Sequence, residues 1–292
     1  MAIRFGLLGT GHWALKAHGA AIAEHPEAEL AGVWGRDPAK ADIVAQRYGA
    51  PRFDTVDGLL AEVDAVAIAL PPDVQAELAV RAARAGRHLL LDKPLALTTP
   101  DADRVVTAVD ETGVSSIVFF TYRFFASVDR FLREAATGRW HGARVTLMSS
   151  IFQPGNPFGG SVWRREKGGL WDIGPHALSI VLPVLGPVVH TAAMVGPHDT
   201  THLMLRHASG AVSTFALSLD VPPEATTHEF VFYGRDGIVS VPDGDSTATQ
   251  ALGVAISQLA AAVAAGTTSH PCDVRFGRDV VAVLADAQTV RV

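Results

Sequence analysis

The chain has 292 residues, enough for two domains, and 48% of them are hydrophobic against 18% charged, so a sizeable core is available. A formal net charge of −6 and a pI near 6.0 give no electrostatic footprint for nucleic acid. The single cysteine, Cys272, excludes an intramolecular disulfide, and the scattered histidines have no zinc-like spacing, so no metal site is expected. No apolar run approaches the roughly 20 residues of a membrane span. The short apolar N-terminus reads as a strand rather than a leader. The expectation is a soluble cytoplasmic protein without a membrane partner.

The first part alternates strand and helix. Residues 3–8 read as a buried strand and 12–24 as a helix, followed by a strand at 29–34. A helix at 38–48 has Asp37 as its cap and Pro38 at its first position. Strand 64–70 stops at Pro71-Pro72, helix 73–85 ends at Gly86, and strand 88–91 stops at Asp92-Lys93-Pro94. Helix 99–112 and strand 115–120 complete the run. Such alternation makes a parallel, doubly wound α/β sheet. After about residue 120 the pattern changes. A helix at 128–136 is followed by strands at 143–152, 188–195, 201–207, 211–219 and 227–232, with a hairpin turn at 206–210. Strands in succession suggest a mostly antiparallel sheet. Helices at 249–265 and 278–289 close the chain. The expected division is therefore a nucleotide-binding domain over 1–120 and a substrate and oligomerisation domain over 121–292.

Between the first strand and its helix lies Gly9-Thr10-Gly11-His12-Trp13-Ala14. Gly9 lets the chain turn sharply, Gly11 lets a pyrophosphate approach the backbone, and Ala14 allows close helix–strand packing. The helix N-terminus then offers free N–H groups and a positive dipole end to phosphate. The second strand ends in Trp34-Gly35-Arg36, where a ribose-binding carboxylate would select NAD. Gly35 leaves room, and the Arg36 fork suits a 2′-phosphate. One charged hydrogen-bonded contact is worth about 1.5–3 kcal/mol, so the reading favours NADP over NAD. The cofactor-contacting set is taken as Gly9, Thr10, Gly11, His12, Trp13, Gly35, Arg36, Leu70, Pro71, Pro72, Asp92 and Lys93.

Two further pieces carry chemistry. Lys93 follows a parallel strand at its carboxyl end, where open α/β sheets bind ligands. Gly168-Gly169-Leu170-Trp171-Asp172-Ile173-Gly174-Pro175-His176 places Pro175 at the start of a helix running to about residue 185. His176 then lies in the first turn, where the dipole favours the neutral imidazole that a general base requires. Asp172, just outside the helix, either orients His176 or caps the helix. Arg123, Trp163 and Arg164, with the loop at 153–160, offer cationic and aromatic groups to a polar substrate.

Together these pieces resemble the Gfo/Idh/MocA family of oxidoreductases over essentially the whole chain. Asp92-Lys93-Pro94, followed by Leu95-Ala96-Leu97-Thr98, matches its Glu-Lys-Pro motif, and Asp172 to His176, followed by Leu185-Gly186, its Asp-x-Gly-x-His segment. The stretch Asp273-Val274-Arg275-Phe276-Gly277-Arg278-Asp279-Val280 looks like its last helix. The resemblance implies a Rossmann domain plus an α/β domain whose open, mostly antiparallel sheet makes homo-oligomer contacts. It implies hydride exchange between NAD(P) and a polyol, sugar or related alcohol, with Lys93, Asp172 and His176 in the catalytic positions. Asp92 departs from the usual Glu, and Gln75 stands where many members have His. Two alternatives stay open: a non-catalytic NADP-binding sensor of the same fold, and NAD-dependent glycoside cleavage.

Overall fold

The computed structural model describes residues 2–235 and 237–291. They form two compact units, residues 1–124 with 246–279 and residues 125–245 with 280–292.

The first unit is built on a five-stranded parallel sheet. Its elements are β1 (Ile3–Leu8), α1 (Gly19–Glu24), β2 (Ala28–Trp34), α2 (Pro38–Tyr48), α3 (Val56–Ala61), β3 (Ala65–Ile68), α4 (Pro72–Arg84), β4 (His88–Asp92), α5 (Thr99–Thr112) and β5 (Ser116–Phe119). The strand order β2-β1-β3-β4-β5 reverses direction between β1 and β3, the position at which doubly wound sheets bind their ligands. β3 and β5 are buried along their whole length, as are Leu89, Leu90 and Leu91 of β4. That explains why they read as continuous apolar runs rather than alternating ones. Asp37 caps α2 as the sequence predicts, accepting from Ala39 N at 3.0 Å and Lys40 N at 3.3 Å.

The helix after β1 departs from the expected single α-helix. Residues Ala14–His18 wind as a π-helix before α1 continues. The Tyr48 hydroxyl donates to the Leu15 carbonyl inside this segment. Tyr48 lies over Gly19, where a Cβ would come within 2.5 Å of the ring. The wider turn leaves His18 fully buried.

The second unit contains α6 (Ala126–Ala135), β6 (Trp140–Met148), α7 (Val162–Asp172), α8 (Gly174–Leu185), β7 (Val188–Val195), β8 (Thr201–His207), β9 (Val212–Ser218), β10 (Thr227–Gly234) and β11 (Gly237–Ser240). Its six-stranded sheet has the order β11-β10-β6-β9-β8-β7, antiparallel throughout except for the central β6–β9 pair. Burial alternates along β8: Leu203 and Leu205 are buried, whereas His202, Met204 and Arg206 are exposed. One face of the sheet therefore packs on apolar side chains and the other carries Met194 and Met204, which are 61% and 56% exposed.

Two late helices complete the chain, α9 (Ala248–Ala265) and α10 (Val274–Thr289). Helix α9 belongs to the first unit, against α1 and β5. The sequence reading has one boundary, near residue 120; in the structure the chain leaves the first unit after Phe124 and returns to it for 246–279. Helix periodicity marks an apolar face but not the sheet that it covers. By length and composition α9 and the stretch Val162–Leu185 could each cross a membrane. The latter is two helices with 78% of its apolar window buried, and α9 buries Ala251, Leu252, Ala255, Ile256 and Leu259 on one stripe. The first pattern is that of core helices, and α9, with 28% of its window buried, is an amphipathic helix with one stripe turned to the protein.

Candidate active site

In the first unit, the segments that follow β1, β2, β3 and β4 all lie at the carboxyl edge of the parallel sheet. Gly9 leaves β1 with φ 137°, donates its N–H to the Trp34 carbonyl at 3.0 Å, and passes so close to β3 that a Cβ would sit 2.5 Å from the Ala69 oxygen. Only glycine fits there. Gly11 is exposed, and a Cβ on it would meet nothing within 4 Å. Leu15 N–H donates to the Gly11 carbonyl at 2.9 Å, so helical winding begins at the turn itself. A narrow glycine turn, open space above it and a helix start together suit a dinucleotide pyrophosphate. Gly35 has a more local reason to be small than expected: the Thr10 methyl occupies the place of its side chain. Arg36 is exposed beside it.

The Asp92-Lys93-Pro94 segment is held from below by Gln75, a residue of α4 that is 1% exposed. Gln75 Nε2 donates to the carbonyls of Asp92 at 2.7 Å, Pro94 at 3.0 Å and Leu95 at 3.4 Å, and its Oε1 accepts from Asp92 N at 2.9 Å. Pro71, at the start of α4, accepts from the Val74 and Gln75 N–H groups, which fixes where Gln75 lies. The Lys93–Pro94 peptide is cis. Asp92 turns one carboxylate oxygen to Lys93 N at 2.9 Å and the other toward His18 Nε2 at 3.7 Å. Lys93 is half-buried. Arg123, also in this unit, lays its guanidinium over the Phe276 ring at 5.5 Å.

In the second unit, Trp163, Arg164, Asp172 and His176 come from α7 and α8. The sequence reading leaves residues 162–172 outside any helix. They are helical, with a break at Gly168 (φ 64°, ψ −164°). Asp199 causes the break to hold: its carboxylate accepts from Gly169 N at 2.7 Å and Leu219 N at 3.4 Å, and it fills the space that a Gly168 side chain would need. Burial raises the Asp199 pKa, an effect opposed by those two backbone N–H groups.

Asp172 ends α7 and does not cap α8, which starts after Ile173 without a side-chain cap. It pairs with Arg164, Nε to Oδ2 at 3.0 Å, with the two side chains only 19% and 7% exposed. The Arg164 guanidinium also lies 4.7 Å from the Trp163 ring and 4.9 Å from the Phe158 ring. Pro175 is in the first turn of α8 as expected, and His176 follows it half-buried. Sequence reasoning missed His18, whose signal was a polar residue in the apolar stripe Ala14, Ala17, Ala21 and Ile22. It also missed Asp199, for which no local signal exists.

The family model described as "Oxidoreductase family, NAD-binding Rossmann fold" matches residues 3–120, and the GFO/IDH/MocA C-terminal domain matches residues 125–240. Inositol 2-dehydrogenase of Rhizobium meliloti is 30% identical over 231 residues, covering 72% of this chain and 67% of that one. A dTDP-3,4-didehydro-2,6-dideoxy-alpha-D-glucose 3-reductase of Streptomyces antibioticus is 28% identical over 80% of this chain and 74% of its own. The solved UDP-N-acetylglucosamine 3-dehydrogenase of Acidithiobacillus ferrooxidans has the same fold, with a TM-score of 0.85 at 23% identity over 100% of this chain and 98% of that one. With both family models spanning most of its length, the chain belongs to the Gfo/Idh/MocA family of NAD-binding oxidoreductases.

Proposed function

We propose that the protein moves hydride between a nicotinamide dinucleotide, with NADP favoured, and a secondary alcohol or ketone on a sugar, polyol or related small molecule. The observation that carries this reading is the gathering of Gly9–Trp13, Gly35-Arg36, Leu70–Pro72 and Asp92-Lys93 at one carboxyl edge of the parallel sheet. The named relatives act on inositol and on nucleotide-linked sugars, which supports a ring bearing several hydroxyls as substrate.

When bound, the dinucleotide supplies the hydride acceptor or donor. The residues of this chain do the rest. Lys93 holds its ammonium against the oxygen of the reacting carbon and stabilises it as an alkoxide. His176 takes the hydroxyl proton, or returns it during ketone reduction. Asp172, paired with Arg164, orients the imidazole and a second substrate hydroxyl. Trp163 and Arg123 present aromatic and cationic surface to the substrate, and Arg164 acts chiefly through Asp172. Arg36 is assigned to a 2′-phosphate.

Exposed Met194 and Met204 on the outer face of the second sheet support a homo-oligomer formed through that face. The composition and the nicotinamide chemistry suit the cytoplasm.

The test is a screen of sugars, inositols and related alcohols followed at the nicotinamide absorbance band with NAD and NADP in parallel. Turnover on at least one such substrate is expected. Tight dinucleotide binding with no turnover on any would return the sensor reading. Arg36→Ala should weaken NADP about 10- to 100-fold more than NAD. Equal weakening would overturn the NADP preference.

A further inference from the structure

We propose that Asp199 is a positioning residue for the segment that carries Asp172 and His176, acting through the backbone at Gly168 and Gly169; this rests on the reading of Asp172 and His176 as catalytic groups. Gly168 has φ 64° and ψ −164°, a conformation open in practice to glycine alone. The helix is interrupted there and winds again from Gly169. Ile173 N–H donates to the Gly169 carbonyl at 3.0 Å, and Ala177 N–H to the Ile173 carbonyl at 3.2 Å. These bonds join Gly169 to Asp172 and on to His176. The Gly169 N–H donates to Asp199 Oδ2 at 2.7 Å, and the same oxygen accepts from Leu219 N at 3.4 Å. Asp199 thus does for this run of turns what an N-cap does for an ordinary helix. It also ties the start of the run to the chain leaving β9.

The Arg164–Asp172 pair spans the interruption, with Arg164 before Gly168 and Asp172 after it. Its 3.0 Å contact therefore depends on the angle at which the two halves of α7 meet. A Cβ on Gly169 would lie 3.1 Å from Ser218 N, so the turn already rests on the backbone of β9. His198 and Asp199 both lie in the left-handed region, at φ 53° and 58°. Strained backbone of this kind gathers at functional sites. The hairpin tip is held in that shape by Gly196 N–H to the Thr200 carbonyl at 2.7 Å and by Ser218 Oγ to the His198 carbonyl at 2.7 Å. Asparagine or glycine would suit such a turn, without a carboxylate whose charge burial opposes. What the carboxylate adds is its hold on Gly169.

The experiment compares the parent with Asp199→Gly and Asp199→Asn. Glycine accepts the left-handed backbone and removes the carboxylate, whereas asparagine accepts it and keeps an oxygen acceptor. Two quantities are read well below each variant's unfolding temperature. One is hydrogen exchange at the Gly169 amide without cofactor. The other is kcat and KM on whichever alcohol turns over fastest in a screen of sugars and inositols, with dinucleotide affinity titrated separately. In Asp199→Gly the Gly169 amide should exchange about tenfold faster or more. Its kcat should fall about 10- to 100-fold, as a catalytic group displaced by about 1 Å requires, with dinucleotide affinity within about twofold of the parent. Asp199→Asn should recover most of both. Gly169 exchange or kcat within about twofold of the parent in Asp199→Gly overturns the proposal, even if stability falls, and so does equal loss in Asp199→Asn. If Asp199→Gly does not fold, Asp199→Ser, whose hydroxyl is one bond short of the Gly169 N–H, should show the same losses, and parent-like values there overturn the proposal. Turnover by His176→Gln separates the two levels. Full activity there, or no turnover by the parent on any alcohol, removes the catalytic reading and this proposal with it. An inactive His176→Gln with undiminished kcat in Asp199→Gly removes the positioning role alone.

Discussion

Replacing Gln75 with leucine tests whether the buried amide is what holds Lys93 in place. The side chain donates to three carbonyls and accepts from Asp92 N, at 2.7 to 3.4 Å. Leucine fills similar volume and offers no polar atom. A net hydrogen bond is worth about 1 kcal/mol, and a buried N–H left alone costs about 1–3 kcal/mol. The two amide protons serve three carbonyls, so the weakest contact adds little. Gln75→Leu should then destabilise the protein by about 3–5 kcal/mol, a large share of a typical stability of about 5–15 kcal/mol. Urea unfolding followed by tryptophan fluorescence measures the total, and hydrogen exchange at the Asp92 amide measures its local part. Gln75→Glu should be worse than expected from size, because it turns a carboxylate toward three carbonyl oxygens. A loss below about 1 kcal/mol for Gln75→Leu, with an unchanged Asp92 amide, would refute the reasoning.

Two further perturbations have expected outcomes. Arg164→Met removes the guanidinium from beside the Asp172 carboxylate, which is 7% exposed. Breaking a buried pair costs about 3–5 kcal/mol, and partial access at Arg164 lowers the expectation to about 2–3 kcal/mol. Adding Asp172→Asn should recover part of that, and a double-mutant cycle without coupling would show the pair to be idle. Acid should destabilise the fold through His88, His207 and His270, whose pKa values burial holds below the ordinary 6.5. The unfolded chain binds protons more readily at these sites. Their contribution is therefore complete above about pH 6.5 and is lost as the pH falls through the folded values. Urea midpoints between about pH 8 and 5 should show the decline. His207→Asn should flatten it, since His207 is held between the Gly186 carbonyl and Ser213 Oγ, each at 2.7 Å; a profile equally steep in His207→Asn would contradict the assignment.

Much of the first unit is legible in the sequence because its signals are local. Gly9 follows a continuous apolar strand, and Asp37-Pro38 carries its own cap and first turn. Helix α3 escapes notice because it is six residues long, with Thr55 as its only sign. Strand β11 escapes because all four of its residues are exposed, which erases the alternation that reveals a strand. The pair Gly168-Gly169 reads as a loop, but the Asp199 carboxylate, thirty residues away, lets helix form on both sides of it. Lys93, Asp172 and His176 are visible as motifs. Their supports, Gln75 under the Lys93 segment and Arg164 beside Asp172, depend on burial and on side-chain contacts, and no spacing rule encodes those.

The central claim is that the Lys93 ammonium stabilises the oxygen of the carbon that gives or takes hydride. Its most direct test is the single-turnover rate of nicotinamide oxidation or reduction in Lys93→Ala, on the substrate that the screen returns, beside a binding titration of the dinucleotide. Loss of a preorganised charge-stabilising donor costs about 2.7–4 kcal/mol. The rate should therefore fall about 100- to 1000-fold while dinucleotide affinity stays within about twofold. An unchanged single-turnover rate would contradict the account.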